Sequence, residues 1–493
     1  MFDAASIPQL ILATARDPAV RAREAIWADD RSWTYSELAD AVERVSGLLL
    51  ERGLVRGGRV AILAGRTLEC AAAVLGVMAA GGAAFVLDER LTPAEMRSRL
   101  SSAGARRLLA DETHYGVAAA ALPDAALRLE DARGAPKSTV ADLAREDDAL
   151  LVSTSGSTSL PKAVLLTHGN LLSNAWGVAE RTGVTPEDRV LHLLPTHHTN
   201  GVNNLLIVPL SRGASVVMLQ HFRPESLFDE IARLRPTYLT GVATHYSRLL
   251  AHRPPAGALS SLRFLRSGAA PMPAPLHREI ERQFGLPLLH SYGLSEDTCT
   301  ATMNPPAARR IGTVGTALDG QRVAILPPEG ETALPAGAEG EICIAGPSLM
   351  KGYVPAVARQ DGPSIRNGWL RTGDLGWLDG DGYLSVTGRL KEIIIRGGEN
   401  LSPGRIEESI LHHPDVLSCC VVGALHADLG EVPVAFVVAR NHAVLRERAL
   451  QDCVAAELPR SSVPARVIVM DALPEIGIGK VDRQALKRLA RGA

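Results

Sequence analysis

Up to about residue 300, short apolar runs bounded by turn residues alternate with longer stretches of helical texture. Residues 59–63, 149–152, 215–219 and 262–266 are such runs, too short for helices, and they predict strands. Strands alternating with helices predict parallel sheets covered by helices. Between residues 312 and 388 the pattern becomes Gly/Pro-punctuated, with the short alternating segments QRVAILPPEG, GEICIAG and GYLSVTG. These predict a smaller antiparallel or barrel-like part. Residues 392–493 change again, with a helix over 403–412, strands in SCCVVGAL and VPVAFVVA, a helix over 445–458 and a late strand in ARVIVM. That is enough for an α+β domain of about 100 residues. The expected fold is α/β: a large N-terminal domain over residues 1–388, a hinge at 389–391 and a small C-terminal domain over 392–493.

One run competes with this picture. Residues 70–87, CAAAVLGVMAAGGAAFVL, carry no charge and are long enough to cross a membrane. The run is rich in weakly hydrophobic Ala, Gly81-Gly82 interrupts it and Phe85-Val86-Leu87 is strand-like, so helix, turn and buried strand is the expectation. No membrane span is predicted. At 493 residues the chain exceeds what one hydrophobic core supports. A net charge of −2 gives no long-range attraction to nucleic acid or to an anionic membrane. The six cysteines lack metal-ligand spacing and disulfide-scaffold density, and the N-terminal segment has an early Asp and no basic leader. A reduced, cytoplasmic protein is expected, as a monomer or homodimer.

The chemistry-bearing residues fall in short segments. In LVSTSGSTSLPKAVLLTHGN an apolar strand enters a loop holding Thr154, Ser155, Gly156, Ser157 and Thr158 and ending in Pro161-Lys162. Backbone N–H groups and hydroxyls in such a loop can wrap phosphates while Lys162 supplies charge. It is not a P-loop, because no Gly precedes Lys162 and Ala163 follows it. Alone, the segment reads more readily as a flexible surface turn. Further along come LPTHHTNG, SGAAP, SYGLSE, WLRTGD, Gly388-Arg389, IIIRGGENLSP and PEIGIGKVDR. Each is unremarkable by itself: a lone histidine is more often structural, and SGAAP is a tight turn.

As an ordered series over most of the chain, these segments resemble the adenylate-forming superfamily of acyl- and aryl-CoA ligases, peptide-synthetase adenylation domains and luciferases. The loop resembles the family's TSGSTG-x-PKG, departing from it at Ser159 and Ala163, where Gly is usual. The resemblance implies that ATP or AMP is bound by Thr154, Ser155, Gly156, Ser157, Thr158, Lys162, Gly268, Ala269, Ala270, Ser291, Tyr292, Gly293, Leu294 and Ser295, with the Tyr292 ring near adenine. It implies further that Asp374 and Arg389 hold the ribose, that Glu296 helps hold Mg2+, and that His198 lies beside the acyl site. Asn200, Gly201, Asn203, Asn204 and Tyr246 would line the acyl pocket. Lys480 would be catalytic, Lys391 the hinge of a mobile C-terminal domain, and Gly397 and Gly398 part of the thiol tunnel.

Composition sharpens the resemblance: 46 Arg stand against six Lys, yet Lys occupies positions 162, 391 and 480. At 162 and 480 this suggests a need for a compact point charge over a planar fork. The implied activity is ATP-dependent activation of a small-molecule carboxylate as an acyl-adenylate, then thioester formation with coenzyme A. A separate carrier protein, an amine or a nitrite-derived diazotisation partner is an alternative acceptor, and a non-catalytic nucleotide-binding regulator is a weaker alternative. A kinase or ordinary NTPase lacks its motifs here. Amino-acid activation is disfavoured, since the family's FD-x-S Asp is replaced near Thr199. The cluster of Asn200, Asn203 and Asn204 suggests a small, aromatic or hydroxylated acid rather than a long fatty acid.

Overall fold

The computed structural model describes residues 2–153, 162–355, 363–440, 443–476 and 480–492. Two large sheets form most of the N-terminal part. In the nine-stranded sheet six neighbouring strands are parallel, in the order Leu288–Tyr292, Phe264–Ser267, Tyr238–Gly241, Arg189–His192, Ser215–Met218 and Glu24–Ala28. The seven-stranded sheet is parallel from Asp148–Ser153 through Ala83–Val86, Arg59–Leu63 and Arg107–Ala110 to Ala126–Arg128, with Ala163–Thr167 added antiparallel.

Between the sheets lie the helices Tyr35–Glu51, Leu68–Ala79 and His168–Thr182, whose Val42, Val74 and Leu171 share one core with Ile62, Leu150, Val190 and Val216 from the sheets. Leu68–Ala79 buries every residue except Glu69. A helix apolar all round must be covered on all sides, which accounts for the uncharged run without a membrane. That run folds as this helix followed by the strand Ala83–Val86, and no helix among the described residues is long and apolar enough to cross a membrane. Outer helices close the other faces: Met96 and Leu100 pack on Phe85 and Leu108, and Ile231 and Ile280 pack on Leu239 and Leu265.

The Gly/Pro-punctuated region forms a separate antiparallel sheet of Arg322–Leu326, Gly340–Ala345, Trp369–Leu378, Ser364–Arg366 and Leu384–Arg389. The chain leaves it at Arg389, makes a 3-10 turn over Leu390–Glu392 and starts a five-stranded C-terminal sheet at Ile394. There the strands Val416–His426 and Gly430–Ala439 are buried on both faces by alternation. Val421, Ala435 and Val437 meet Ile406, Ile410, Leu450 and Val454 on one side, while Cys420, Val434 and Phe436 meet Leu486 and Ala490 on the other. The helix Arg483–Gly492 that carries Leu486 and Ala490, and the small hairpin before it, have no counterpart in the elements expected from the sequence.

Candidate active site

The end of the antiparallel sheet nearest the C-terminal domain carries a charge cluster. Antiparallel pairing sets Asp374 directly opposite Arg389. Their side chains form an ion pair at 2.8 Å, and Tyr292 donates its phenol O–H to the other Asp374 oxygen at 2.8 Å. Asp374 is nearly buried while Arg389 remains 40% exposed, so the pair opens on one side. The Asp374 charge raises the Arg389 pKa; burial, then Asp374, raises that of Tyr292. A carboxylate has about four lone-pair sites, so Asp374 keeps acceptor capacity beyond these two partners.

Tyr292 ends the strand Leu288–Tyr292, and Gly293-Leu294 lead from it into a 3-10 turn over Ser295–Asp297. Glu296 in that turn is buried, with Oε1 accepting from the Tyr353 hydroxyl at 2.7 Å. Its neighbour Asp297 is fully buried and accepts from the Ser348 hydroxyl, and burial pushes its carboxyl up to about 7. Thr298 follows with φ +62°, a strained value for a β-branched residue, and its hydroxyl is fixed on the Ser348 carbonyl at 2.6 Å. The turn is thus held from several sides. No group of three or more His, Cys, Asp or Glu that could hold a metal occurs among the described residues. One rigid carboxylate nonetheless suits Mg2+, which commonly takes one or two carboxylates and completes its shell with water and substrate phosphates.

The residues expected at the acyl side follow the strand Arg189–His192. His198 is half-buried, its ring centroid 4.4 Å from that of His197. Burial lowers His197 to about 4, with Asp88 3.7 Å from it. Residues Asn200–Ile207 wind as a π-helix. A side chain at Gly201 would strike the Pro195 carbonyl, its Cβ only 2.2 Å away, so glycine here serves backbone packing. Asn200 is partly exposed and accepts from Asn204.

Three of the residues expected to line the acyl pocket are fully buried. Asn203, Asn204 and Tyr246 have no exposed surface: Asn203 bonds Asn174, Asn204 bonds Asn200, Cys299 and Thr300, and Tyr246 donates to the Arg266 carbonyl at 2.6 Å. Polar residues on this strand-to-helix segment serve an internal network, which residue type alone does not distinguish from a ligand-facing set.

Ser267 through Ala270 turn out of the strand Phe264–Ser267, Gly268 buried, Ala269 exposed at φ +63° and Ala270 half-buried. Ser291 ties this turn to the next strand by donating to the Ser267 carbonyl at 3.1 Å. Lys162 is half-buried just before the strand Ala163–Thr167. Thr154, Ser155, Gly156, Ser157 and Thr158 lie outside the described residues.

On the C-terminal side, the Lys480 backbone pairs with Ile476 in the hairpin of Glu475–Ile476 and Lys480–Val481. Glu475 of this hairpin forms an ion pair with Arg248 of the N-terminal part at 2.9 Å, and Arg440 pairs with Glu279 at 3.1 Å. Arg483 bonds Glu407 at 2.6 Å and lies 3.3 Å from Glu392 of the Leu390–Glu392 turn, where Lys391 is exposed. Gly397 and Gly398 both take positive φ, +56° and +86°, in the tight turn joining Ile394–Arg396 to Glu399–Leu401. Such a turn requires the left-handed region at both central positions. Leu390, Lys391, Ile395 and Leu425 line an open pocket beside it. Tyr353, Asp297 and Arg266 were absent from the residues singled out by sequence. Only Arg266 gave a signal, as a charge inside a strand-forming apolar run.

Comparisons with known proteins identify the family. The AMP-binding enzyme model matches residues 13–354 and the AMP-binding enzyme C-terminal domain model matches residues 405–480. The chain is 35% identical over 471 residues to a sulfoacetate–CoA ligase of Cupriavidus necator, covering 92% of each. It is 34% identical over 467 residues to a feruloyl-CoA synthase of an Amycolatopsis species, covering 92% of this chain and 93% of that one. Crystal structures of MatB from Rhodopseudomonas palustris, 32% identical and with 98% of both chains covered, superpose with TM-score 0.92 when ATP is bound and 0.83 in the apo form. This chain belongs to the AMP-binding enzyme family, with both the N-terminal and the C-terminal parts of that family present.

Proposed function

We infer that the protein is an ATP-dependent acid–CoA ligase that forms an acyl-adenylate, releases pyrophosphate and transfers the acyl group to coenzyme A. The observation that carries this reading is the Asp374, Arg389 and Tyr292 cluster at the junction of the two domains, with the segments bearing Glu296 and Lys480 placed along the chain in the order of the family. Asp374, with acceptor capacity left and one open side, takes the ribose hydroxyls, and Arg389 joins it. Charged hydrogen bonds of this kind are the stronger ones.

The attack of a carboxylate on the α-phosphate brings two anions together, so the barrier falls mainly through positioning and charge neutralisation. Lys162 and Lys480 supply positive charge from opposite sides of the cleft. Glu296 is the residue to hold Mg2+, which when bound neutralises phosphate charge. Ala269 and Ala270 form the turn that the acid's carboxylate approaches, and His198 flanks the acyl group, with Asn200 beside it. The closer likeness to ATP-bound than to apo MatB supports an arrangement suited to the adenylation step. Rotation about Lys391 would then bring Gly397 and Gly398 to the thiol for the second step, with water kept from the adenylate.

The two relatives named above act on acids as different as sulfoacetate and ferulate at nearly equal identity, so overall likeness does not choose the acid. Six free cysteines support a reducing, cytoplasmic setting. The deciding experiment is a pyrophosphate-release screen over a panel of carboxylates and nitrite, with and without coenzyme A. Acid-dependent release followed by an acyl-CoA product is expected. Release with no thioester, but with an amine or carrier conjugate, would replace coenzyme A as the acceptor.

A further inference from the structure

The largest fully buried side chain among the described residues is a cation, Arg266. It is the third residue of the strand Phe264–Ser267, in register with Thr240 and Leu289 on the neighbouring strands, and Thr240 is in turn level with His192. By the alternation of the strand it shares a face with Phe264, which packs into the core between the two sheets. The polar network of the Asn200–Ile207 helix lies on this face: Arg266 donates from Nη2 to the Thr300 hydroxyl at 2.9 Å, and Asn204 donates to the same hydroxyl at 3.0 Å. Through Asn204 the guanidinium connects to Asn200 and Cys299, both partly exposed at the acyl side.

What separates Arg266 from its neighbours is the donor capacity left over. Asn204 spends its amide on three protein acceptors, but Nε and Nη1 of Arg266 have no partner among the described residues. The groups interacting with its charge are Cys299, Tyr238 and Tyr246, none of them a carboxylate, and burial pushes its guanidinium pKa downward. An arginine does not escape by losing its proton, so a buried guanidinium needs an anion or a full set of acceptors. The Thr240 hydroxyl, level with Arg266 on the neighbouring strand, and Oδ1 of Asn203 are also without partners among the described residues. A scaffold position would be filled more stably by an apolar side chain. The residue that follows Arg266, Ser267, opens the Gly268-Ala269-Ala270 turn that the reacting carboxylate approaches in the proposed function.

We propose that Arg266 is a specificity-determining residue that receives a second anionic group on the acid, a carboxylate or sulfonate, so that the substrates are short acids bearing two anions. The inference rests on the acid–CoA ligase reading. The planar fork of donors matches either oxyanion, and the nearness of Arg266 to the turn requires a short spacer between the two groups. Substrate would then neutralise a guanidinium charge that has no carboxylate interacting with it among the described residues, and an acid lacking the second anion would leave those donors unpaired. This narrows the sequence expectation of a small, aromatic or hydroxylated acid to the small, doubly charged class.

The test compares pyrophosphate release with malonate, succinate and sulfoacetate against monomethyl malonate, monomethyl succinate and butyrate, in wild type, Arg266→Met and Arg266→Lys. Wild type is expected to favour at least one doubly charged acid over the singly charged acids. Arg266→Met should lower that preference in kcat/KM by about tenfold to a hundredfold, mainly through KM, the range for a hydrogen bond to a charged group. Arg266→Lys should recover part of the preference. Malonate or succinate as the favoured acid identifies a carboxylate as the second anion, and sulfoacetate identifies a sulfonate. Equal loss on singly and doubly charged acids, or a preference unchanged in Arg266→Met, would assign Arg266 to the scaffold and overturn the proposal. If Arg266→Met does not fold, wild-type protein with ATP is scanned thermally with each acid, and equal stabilisation by monoesters and diacids overturns the proposal equally. Wild type that prefers butyrate or a monoester sinks this proposal alone; wild type that releases pyrophosphate with no carboxylate sinks the ligase reading itself.

Discussion

The N-terminal wall of the site and the C-terminal domain that faces it hold their charges in opposite ways. Asp374, Glu296, Asp297 and Arg266 are buried on strands or short turns, each fixed by at least one hydrogen bond at 3 Å or less from a neighbouring element. The C-terminal domain presents Lys480 on a two-strand hairpin and Lys391 on an exposed turn, and it meets the wall through Arg248–Glu475 and Arg440–Glu279, half-exposed pairs. A preorganised wall costs no reorganisation when charge develops. A partner that serves two steps in turn needs contacts weak enough to release. The difference implies that substitutions on the wall alter binding and both steps, whereas those on the small domain separate the steps.

The largest effect should come from the small domain. Lys480→Ala is expected to slow acyl-adenylate formation by roughly 10²–10³, the loss of one preorganised electrostatic contact. Thioester formation from supplied acyl-adenylate should continue, and equal loss in both half-reactions would remove the division of labour. Lys391→Pro probes the same division from the hinge, since proline fixes φ near −65° and removes the N–H. Pyrophosphate release in a single adenylation turnover should stay near wild type while thioester formation drops sharply; unimpaired coenzyme A turnover would move the hinge elsewhere.

The wall should respond differently. Asp374→Ala removes an acceptor that both steps use and should weaken ATP binding by about 1.5–3 kcal/mol, the range for charged hydrogen bonds. Calorimetric affinity equal to wild type would show that the Arg389 pair serves the fold rather than the nucleotide. Acid should destabilise this part of the molecule specifically. Burial lowers His192 to about 3 and His168, His245 and His290 to about 4, from an ordinary 6.5. For each, the unfolded chain binds a proton between these values that the folded chain refuses, so the stabilisation is complete above 6.5 and is lost as pH falls. The slope is about 1.4 kcal/mol per pH unit for each histidine. Asp297, raised to about 7, opposes this with one proton in the other direction, so the histidines prevail. Melting temperature should fall between pH 6.5 and 4, and His192→Gln should flatten that fall.

Much of this was legible in the sequence, for a physical reason. Parallel strands buried on both faces are continuous apolar runs, so residues 59–63 and 215–219 gave strands within one residue of those observed. Tight turns that need glycine announced themselves, as at Gly397-Gly398. The last helix escaped because its buried positions, Leu486 and Ala490, sit among charged residues in a short amphipathic segment. The acyl side was hardest to read. Asparagine at 200, 203 and 204 has the same chemistry whether it faces a ligand or a backbone, and burial alone separated Asn200 from the other two. Arg266 was visible as a letter in an apolar run, but that two of its donors lack partners among the described residues shows only once Asn204 and Thr300, from segments far apart in the chain, are brought beside it.

The smallest effect concerns the contact between the two regions. Arg248 and Glu475 lie 2.9 Å apart with side chains 51% and 33% exposed, so solvent screens them strongly. Exposed pairs of this kind contribute about 0.2–1 kcal/mol, which limits the change in the docked population to a few-fold. Yet Glu475 belongs to the hairpin that carries Lys480, so even a small shift should appear selectively in the step that uses Lys480. Glu475→Gln is expected to slow adenylation less than about fivefold at low salt, within that range of energies. Thioester formation from supplied acyl-adenylate should be unchanged or slightly faster, because undocking no longer breaks the pair. Raising ionic strength to about 1 M, where the screening length is about 3 Å, should bring wild type and variant together. A deficit that persists in salt, or approaches that of Lys480→Ala, would mean that the small domain is held as rigidly as the wall, and the contrast between the two regions would fail.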